Sequence, residues 1–152
     1  MGYAFGVGRE APAFSLMGSD GSHVALKDFR GDWLPVVVFL RADHPDAGAR
    51  LSALSAAADE FWGLRGQVLA LADAGVAELR GLADAVPQLA FPLLADEGAL
   101  VARAYGAYSS TRGTVDAVAY IVDRSGKIVW VGEGDEACSP RKLTVALQAA
   151  VR

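Results

Sequence analysis

Four polar residues between two apolar segments form the densest group of side chains that could do chemistry: Arg41, Asp43, His44 and Asp46. A histidine beside carboxylates can act as a general base or as a metal ligand. Charged residues at a helix entrance also commonly cap the helix, Asp46 would complement its positive end, and a lone histidine makes a poor metal site. The sequence therefore favours a solvated capping loop over a new catalytic centre. The second histidine, His23, has no partner at a useful spacing and is expected to be exposed.

The one cysteine, Cys138, is the other side chain that could act as a nucleophile. It precedes Ser139 and Pro140, residue types that are preferred at the N-cap and the first position of a helix. Helix-end N–H groups can lower the pKa of a thiol, so Cys138 is a candidate reactive thiol. An incidental loop thiol is the favoured interpretation, because a cysteine without a resolving partner is usually not catalytic. Any disulfide must join another molecule, as a mixed or an intersubunit bond.

Composition limits the class of protein. The 152 residues are 53% hydrophobic and 21% charged, which suits one core-forming domain spanning residues 1–152. The formal net charge is −4 and no segment concentrates Lys or Arg, so nucleic acid and anionic membranes are not expected partners. Residues 1–8 carry no secretory-signal pattern, and the longest apolar run, residues 34–40, is too short to span a bilayer. A cytoplasmic location is the resulting expectation.

Hydrophobic periodicity predicts alternating strands and helices. The Val-rich run at residues 34–40 is typical of a central strand that is buried on both faces. A long helix is expected over residues 45–62, because Leu51, Leu54 and Phe61 recur at helical spacing. The other expected elements are a hairpin of residues 13–16 and 23–26, strands at 68–71 and 91–94, helices at 76–86 and 99–105, a hairpin of 117–122 and 127–131, and a terminal helix from Pro140.

This order of elements predicts an α/β fold with a mixed central sheet, helices on both faces and an N-terminal β-hairpin extension. Pro92 places the strand at residues 91–94 at the periphery of the sheet or at a strand end. Residues 108–114 are expected to form a polar loop. The three tryptophans are assigned to core or edge packing, since they are spread over different elements; they are Trp33, Trp62 and Trp130.

Short segments spread over nearly the whole chain carry a family resemblance. They are Gly8-Arg9-Glu10-Ala11-Pro12-Ala13-Phe14, Asp20-Gly21, Leu26, Phe29-Arg30-Gly31, Phe91-Pro92-Leu93-Leu94-Ala95-Asp96, Tyr105-Gly106 and Ile121-Val122-Asp123-Arg124-Ser125-Gly126-Lys127-Ile128. In this order they resemble the peroxiredoxins, the alkyl hydroperoxide reductase and thiol-specific antioxidant (AhpC/TSA) family. The gapless count from residues 29–31 to the long helix resembles the bacterioferritin-comigratory type. The resemblance implies a thioredoxin-like fold and a thiol peroxidase site.

The family's active-site motif, Pro-x-x-x-Thr-x-x-Cys, falls on Leu40, His44 and Ala47. In these enzymes a thiolate in the first turn of a helix attacks the peroxide O–O bond, the threonine holds the peroxide and the proline shields the thiolate from water. The supporting arginine of the family falls on Ala117, and the resolving cysteine of some relatives falls on Ser52. The resemblance therefore implies a peroxiredoxin-like protein that lacks its peroxidatic cysteine.

No catalytic residue is assigned at these matched positions, because Ala47 offers neither a nucleophile nor a proton. The favoured hypothesis is a binding, assembly or regulatory module for a protein partner or a small ligand, with the emptied pocket as one binding place. The alternative is an antioxidant thiol oxidoreductase or peroxidase that works through Cys138 with an external thiol. Neither hypothesis calls for a metal or a cofactor. The loop at residues 108–114 resembles loops that form dimer contacts, which implies a homodimer.

Overall fold

The described part of the chain, residues 6–151 of a computed structural model, alternates strands and helices. The strands are β1 (Ser15–Met17), β2 (His23–Ala25), β3 (Leu34–Leu40), β4 (Gly66–Ala72), β5 (Leu93–Ala95), β6 (Tyr108–Ser109), β7 (Thr114–Val115), β8 (Val118–Val122) and β9 (Ile128–Glu133). The helices are α1 (Ala47–Ala56), α2 (Ala58–Gly63), α3 (Val76–Asp84), α4 (Leu100–Tyr105) and α5 (Pro140–Ala150). The strand predicted from the apolar run at residues 34–40 is confirmed at both ends, as β3.

Five strands form the central sheet, in the order β5-β4-β3-β8-β9. The pairs β3–β4 and β4–β5 are parallel, whereas β3–β8 and β8–β9 are antiparallel. The prediction of a mixed sheet with a central β3 is confirmed. Parallel neighbours must be joined by crossovers, and α1 with α2 makes the crossover from β3 to β4.

Alternate residues of β3 enter two apolar clusters, one on each face of the sheet. Val36, Val38 and Leu40 belong to a cluster that includes buried residues of α1, α2, α3 and α5. Val37 and Phe39 belong to a cluster on the opposite face, which includes buried residues of α4 and of the N-terminal segment. Helices therefore cover both faces of the sheet, as predicted, and β3 is buried from both sides.

The N-terminal hairpin is also confirmed, with β1 and β2 pairing antiparallel. It attaches to the sheet at β5, where the Ser19 backbone N–H donates to the Leu93 carbonyl at 2.8 Å. The hairpin thereby covers part of the edge of the sheet, which protects an otherwise unpaired strand. The expectation that His23 has no partner is wrong. Its ring is exposed and lies 3.2 Å from the Ser15 hydroxyl oxygen on the paired strand.

The helix expected over residues 45–62 is two helices, and this prediction is corrected. α1 begins at Ala47, so Pro45 lies in the entrance loop rather than in the first turn. At Ala57 the backbone turns to φ −97° and ψ 2°, and its N–H donates to the Leu54 carbonyl at 3.2 Å. This contact with the residue three positions back tightens the turn and separates α1 from α2. Phe61 of α2 still packs in the same cluster as α1.

Several other boundaries differ from the sequence prediction. β5 begins at Leu93, directly after Pro92, and lies at the edge of the sheet as that proline indicated. Residues 108–114 are not a simple polar loop, because β6 and β7 pair antiparallel across them. Gly113, with φ of +67°, provides a turn conformation that other residues rarely adopt. The helix predicted over residues 76–86 ends at Asp84.

The three tryptophans differ in how far they are buried. Trp33 and Trp130 are half-buried and agree with the expectation of packing at the edge of the core. Trp62 is 46% exposed, so its assignment to packing is wrong in part. Its indole N–H donates to the Gln67 side-chain oxygen at 3.0 Å, which ties the end of α2 to β4.

An aromatic cluster fixes the N-terminal segment to the central strands. Tyr105 and Tyr120 are completely buried, and the ring of Phe39 lies 5.1 Å from the ring of Tyr105. The Tyr105 hydroxyl donates to the Pro12 carbonyl at 2.7 Å, and the Tyr120 hydroxyl donates to the Tyr105 carbonyl at 2.8 Å. Burial raises the pKa of Tyr105 well above its usual range, so the hydroxyl keeps its proton and remains a donor.

The substitution Tyr105→Phe is expected to lower the free energy of unfolding by about 1–2 kcal/mol, because it leaves the Pro12 carbonyl without its donor. Urea unfolding measures this loss as a lower midpoint at an unchanged slope. Tyr108→Phe is the matched control, because Tyr108 is only half-buried and stacks on the Arg103 guanidinium through its ring. That control should change the free energy of unfolding by less than about 0.5 kcal/mol. Equal losses in both variants would contradict the assignment of a stabilising hydrogen bond from the Tyr105 hydroxyl to the Pro12 carbonyl.

Candidate functional site

The end of β3 and the start of α1 place two of the matched positions side by side. Leu40 is the last residue of β3 and Ala47 is the first residue of α1, and both are buried. Ala47 is 2% exposed and stands in the first turn of the helix, where backbone N–H groups and the helix dipole favour an anion. The side chain at this position, which would favour an anion, is the uncharged methyl group of alanine.

The loop between β3 and α1 caps the helix. The His44 Nδ1 accepts from the Asp46 backbone N–H at 3.0 Å, and the His44 carbonyl accepts from the Ala47 N–H at 3.0 Å. Arg41 Nε donates to Asp43 Oδ1 at 2.7 Å, and the Asp43 side chain is 79% exposed. The prediction of a solvated loop agrees with this exposure, but no side chain of the described residues caps a helical N–H of α1, so the predicted side-chain cap is wrong. The side-chain acceptor is His44 rather than Asp46, whose carboxylate makes no cap hydrogen bond.

The space beside Ala47 is filled by apolar side chains. A residual cavity of about 10 Å³ remains, and its lining includes Leu40, Leu51, Leu82 and Leu93. A volume of this size is at the lower limit for a single water molecule. The emptied pocket expected as one place for a small ligand is therefore closed in this structure.

Ala117 lies at the same end of the sheet as Leu40. Ala117 directly precedes β8. Because Phe39 pairs with Val118 in antiparallel register, Leu40 and Ala117 lie next to each other where the pairing of β3 with β8 ends. Both Ala117 and Leu40 pack in the apolar cluster on the α1 face. The Ala117 carbonyl accepts from the Gly134 backbone N–H at 2.9 Å. Ala117, which the resemblance matches to the family's supporting arginine, thus contributes a methyl group and a backbone hydrogen bond.

Cys138 is buried in that same cluster, so it is not an exposed loop thiol, and the alternative of a reactive thiol with a lowered pKa is wrong. It ends a short 3₁₀ turn, Gly134–Cys138, that packs against α1. The pKa of the thiol is raised to about 11, chiefly by burial; the nearby Arg50 guanidinium opposes this rise and the Asp135 carboxylate adds to it. The predicted N-cap is confirmed, because the Ser139 hydroxyl accepts from the Lys142 backbone N–H at 3.3 Å.

Sequence reasoning missed the partners of Cys138. The Arg50 guanidinium lies 3.8 Å from the Asp135 carboxylate, and both charges act on the thiol. No local pattern could reveal this group, because Arg50 and Cys138 are far apart in the chain and meet only through the packing of the turn on α1. Within residues 6–151, no three His, Cys, Asp or Glu side chains are grouped as a metal site. In the same range, no helix combines the length and the apolar character that a bilayer-spanning segment needs.

The family model described as the AhpC/TSA family matches residues 7–131. The chain belongs to this family. A relative from Mycobacterium tuberculosis strain H37Rv that is named as a peroxiredoxin is 32% identical over 128 residues, which cover 80% of this chain and 81% of the relative. The resemblance drawn from the ordered motifs is thereby confirmed.

Two solved structures have folds that are closely similar to the fold of this chain. Peroxidoxin BcpB from Mycobacterium tuberculosis aligns with a TM-score of 0.84 at 21% identity, covering 95% of this chain and 97% of that one. The bacterioferritin comigratory protein of Xanthomonas campestris aligns with a TM-score of 0.84 at 19% identity, covering 97% of this chain and all of that one. The prediction of a thioredoxin-like fold is confirmed.

Native Cys138 is expected to react about 100-fold more slowly with iodoacetamide near neutral pH than the same thiol in unfolded protein. The factor follows from the thiolate fraction, because burial moves the pKa from 9.0 to about 11. Intact-mass measurements of carbamidomethylation in native buffer and in urea give the two rates. Equal rates in the two buffers would show that the thiol is accessible and ionises normally.

Proposed function

We propose that this AhpC/TSA-family protein has no thiol peroxidase activity and uses its thioredoxin-like fold as a binding, assembly or regulatory module for a protein partner. The observation that carries the proposal is the buried methyl group of Ala47 in the first turn of α1. Peroxide reduction by a thiol needs a sulfur lone pair that attacks one oxygen while the other leaves. An alanine side chain supplies no lone pair, so this loss abolishes the step rather than slowing it.

The surroundings of Ala47 support the same proposal. The His44 imidazole nitrogen accepts a hydrogen bond in the loop before α1, and Ala117 brings no positive charge to the start of β8. The residual cavity of about 10 Å³ leaves no room for a substrate beside the methyl group. A closed apolar site also counts against a small ligand at this position, which favours a protein partner at the outer surface as the target.

The alternative function is an antioxidant thiol oxidoreductase in which Cys138 reacts and an external thiol resolves the oxidised form. The Arg50 guanidinium near the thiol is the feature that favours it. Burial of the sulfur and the raised pKa weigh against it, because the thiolate is the reactive form and access limits its oxidation.

We further propose that residues 1–152 form one domain and act in the cytoplasm. The two apolar clusters share the strands of a single sheet, which supports one cooperative unit. A lone cysteine with no intrachain partner is typical of proteins from reducing compartments.

The first test is peroxide consumption in the presence of excess dithiol. The protein and its Cys138→Ser variant are both expected to consume hydrogen peroxide and an alkyl hydroperoxide no faster than buffer with dithiol alone. A peroxidase of the same family, assayed in parallel, is the positive control. Turnover that disappears in Cys138→Ser would establish the oxidoreductase alternative and contradict the proposal.

The second test restores the sulfur alone. The variant Ala47→Cys is expected to gain a thiol with little peroxidase activity, because His44 and Ala117 lack the hydroxyl and the guanidinium that the family places there. The matched variant His44→Thr, Ala47→Cys, Ala117→Arg restores both groups and should exceed the single variant. Initial rates of peroxide loss are compared at equal protein concentration. High activity from Ala47→Cys alone would show that the supporting residues are not limiting.

A further inference from the structure

A groove between the edge strand β9 and the terminal helix α5 lies apart from the site of Ala47. Its volume is about 580 Å³, which is in the range of small-molecule binding sites. Trp130, Val145, Ala146 and Ala149 supply its apolar lining. None of these residues lines the small cavity beside Ala47, so the groove is a separate feature of the fold.

Gly132 makes the position of the Trp130 side chain in this groove possible. The two residues are two positions apart on β9 and therefore share one face of the strand. A Cβ atom added at Gly132 would clash with the six-membered ring of Trp130, so this ring occupies the space that a side chain would take. The indole is half-buried, and across the groove Val145 on α5 is 59% exposed. An exposed apolar lining of this kind favours binding of an apolar or aromatic group.

The rim of the groove is positively charged. Arg141 and Lys142, both in the first turn of α5, contribute to its lining, as does Glu136. Lys142 Nζ lies 3.9 Å from Glu136 Oε2, which offsets one of the two positive charges. Arg141 has no ion pair within residues 6–151. One uncompensated guanidinium therefore borders an apolar groove in a chain whose net charge is −4.

We propose that this groove binds a small aromatic carboxylate. The aromatic ring packs against Trp130 and Val145, and the carboxylate pairs with the Arg141 guanidinium, which suits carboxylates through its fork of N–H donors. The proposal uses no residue of the Ala47 site and no redox chemistry. The tests of this proposal and of the proposed function are therefore independent of each other.

The direct test is an NMR titration with 2-naphthoate that follows the indole N–H signals. The signals are assigned with single Trp→Phe variants. The Trp130 signal should shift in a saturable way, with a dissociation constant of about 1 mM, the value expected for a ligand of this size. Trp33 and Trp62 do not line the groove, and their signals are the internal controls. The cation 2-naphthylmethylammonium has nearly the same shape with opposite charge and should bind at least about fivefold more weakly.

Two exposed substitutions separate the charge from the apolar contact. Arg141→Gln should weaken 2-naphthoate binding by about three- to fivefold, whereas Arg124→Gln, in the exposed turn between β8 and β9, should leave it unchanged. Val145→Asp should weaken binding by about tenfold or more, because it places a carboxylate against the ligand. Leu100→Asp is its matched control, since Leu100 is 71% exposed and does not line the groove.

The outcomes decide the proposal. A selective Trp130 shift that depends on Arg141 and Val145, but not on Arg124 or Leu100, supports it. No saturable shift of Trp130, or equal affinity for the anion and the cation, overturns it. Equal losses in the groove variants and in their controls also overturn it, because binding would then not be localised to this groove.

Discussion

Burial of β3 on both faces is the constraint on which the rest of the structure depends. Val36, Val38 and Leu40 face one apolar cluster, and Val37 and Phe39 face the other. A shift of one residue in register would exchange the two sets, and each set is matched to different helices. The end of β3 is therefore fixed in space, and with it the loop that leads into α1 and the position of Ala47.

This frame is the fold of an AhpC/TSA-family member, and Ala47 is the residue that the resemblance matches to the family's peroxidatic cysteine. Functional sites commonly cost stability, because they keep polar or strained groups in partly buried places. Leu40 and Ala47, in contrast, are buried apolar residues that pack against their neighbours. These two positions are therefore part of the packed interior, within the strand and helix order of the thioredoxin-like fold. A fold preserved in this way can still present surfaces, such as the groove beside Trp130, to other molecules.

Much of the fold could be predicted because its signals are local or follow a fixed order. The continuous apolar run specified β3, the Ser139-Pro140 pair specified the start of α5, and the ordered motifs specified the family. The features that sequence reasoning missed have two causes. The burial of Cys138 arises from packing between distant segments. The break at Ala57 and the role of His44 as an acceptor are local details of the backbone that apolar periodicity does not encode. Cys138 is the clearest example, since burial raises the pKa of a thiol whose place before a helix suggested the opposite.

The sulfenic acid that a peroxidatic cysteine forms is the most direct marker of the reaction between a cysteine thiol and peroxide. The protein is treated with equimolar hydrogen peroxide in the presence of dimedone, which traps sulfenic acids, and its intact mass is measured within the first minute. An unmodified Cys138 is the result that a buried, protonated thiol and an alanine at position 47 predict. A stoichiometric dimedone adduct on Cys138 would contradict the proposal that this member of the family does not react with peroxide.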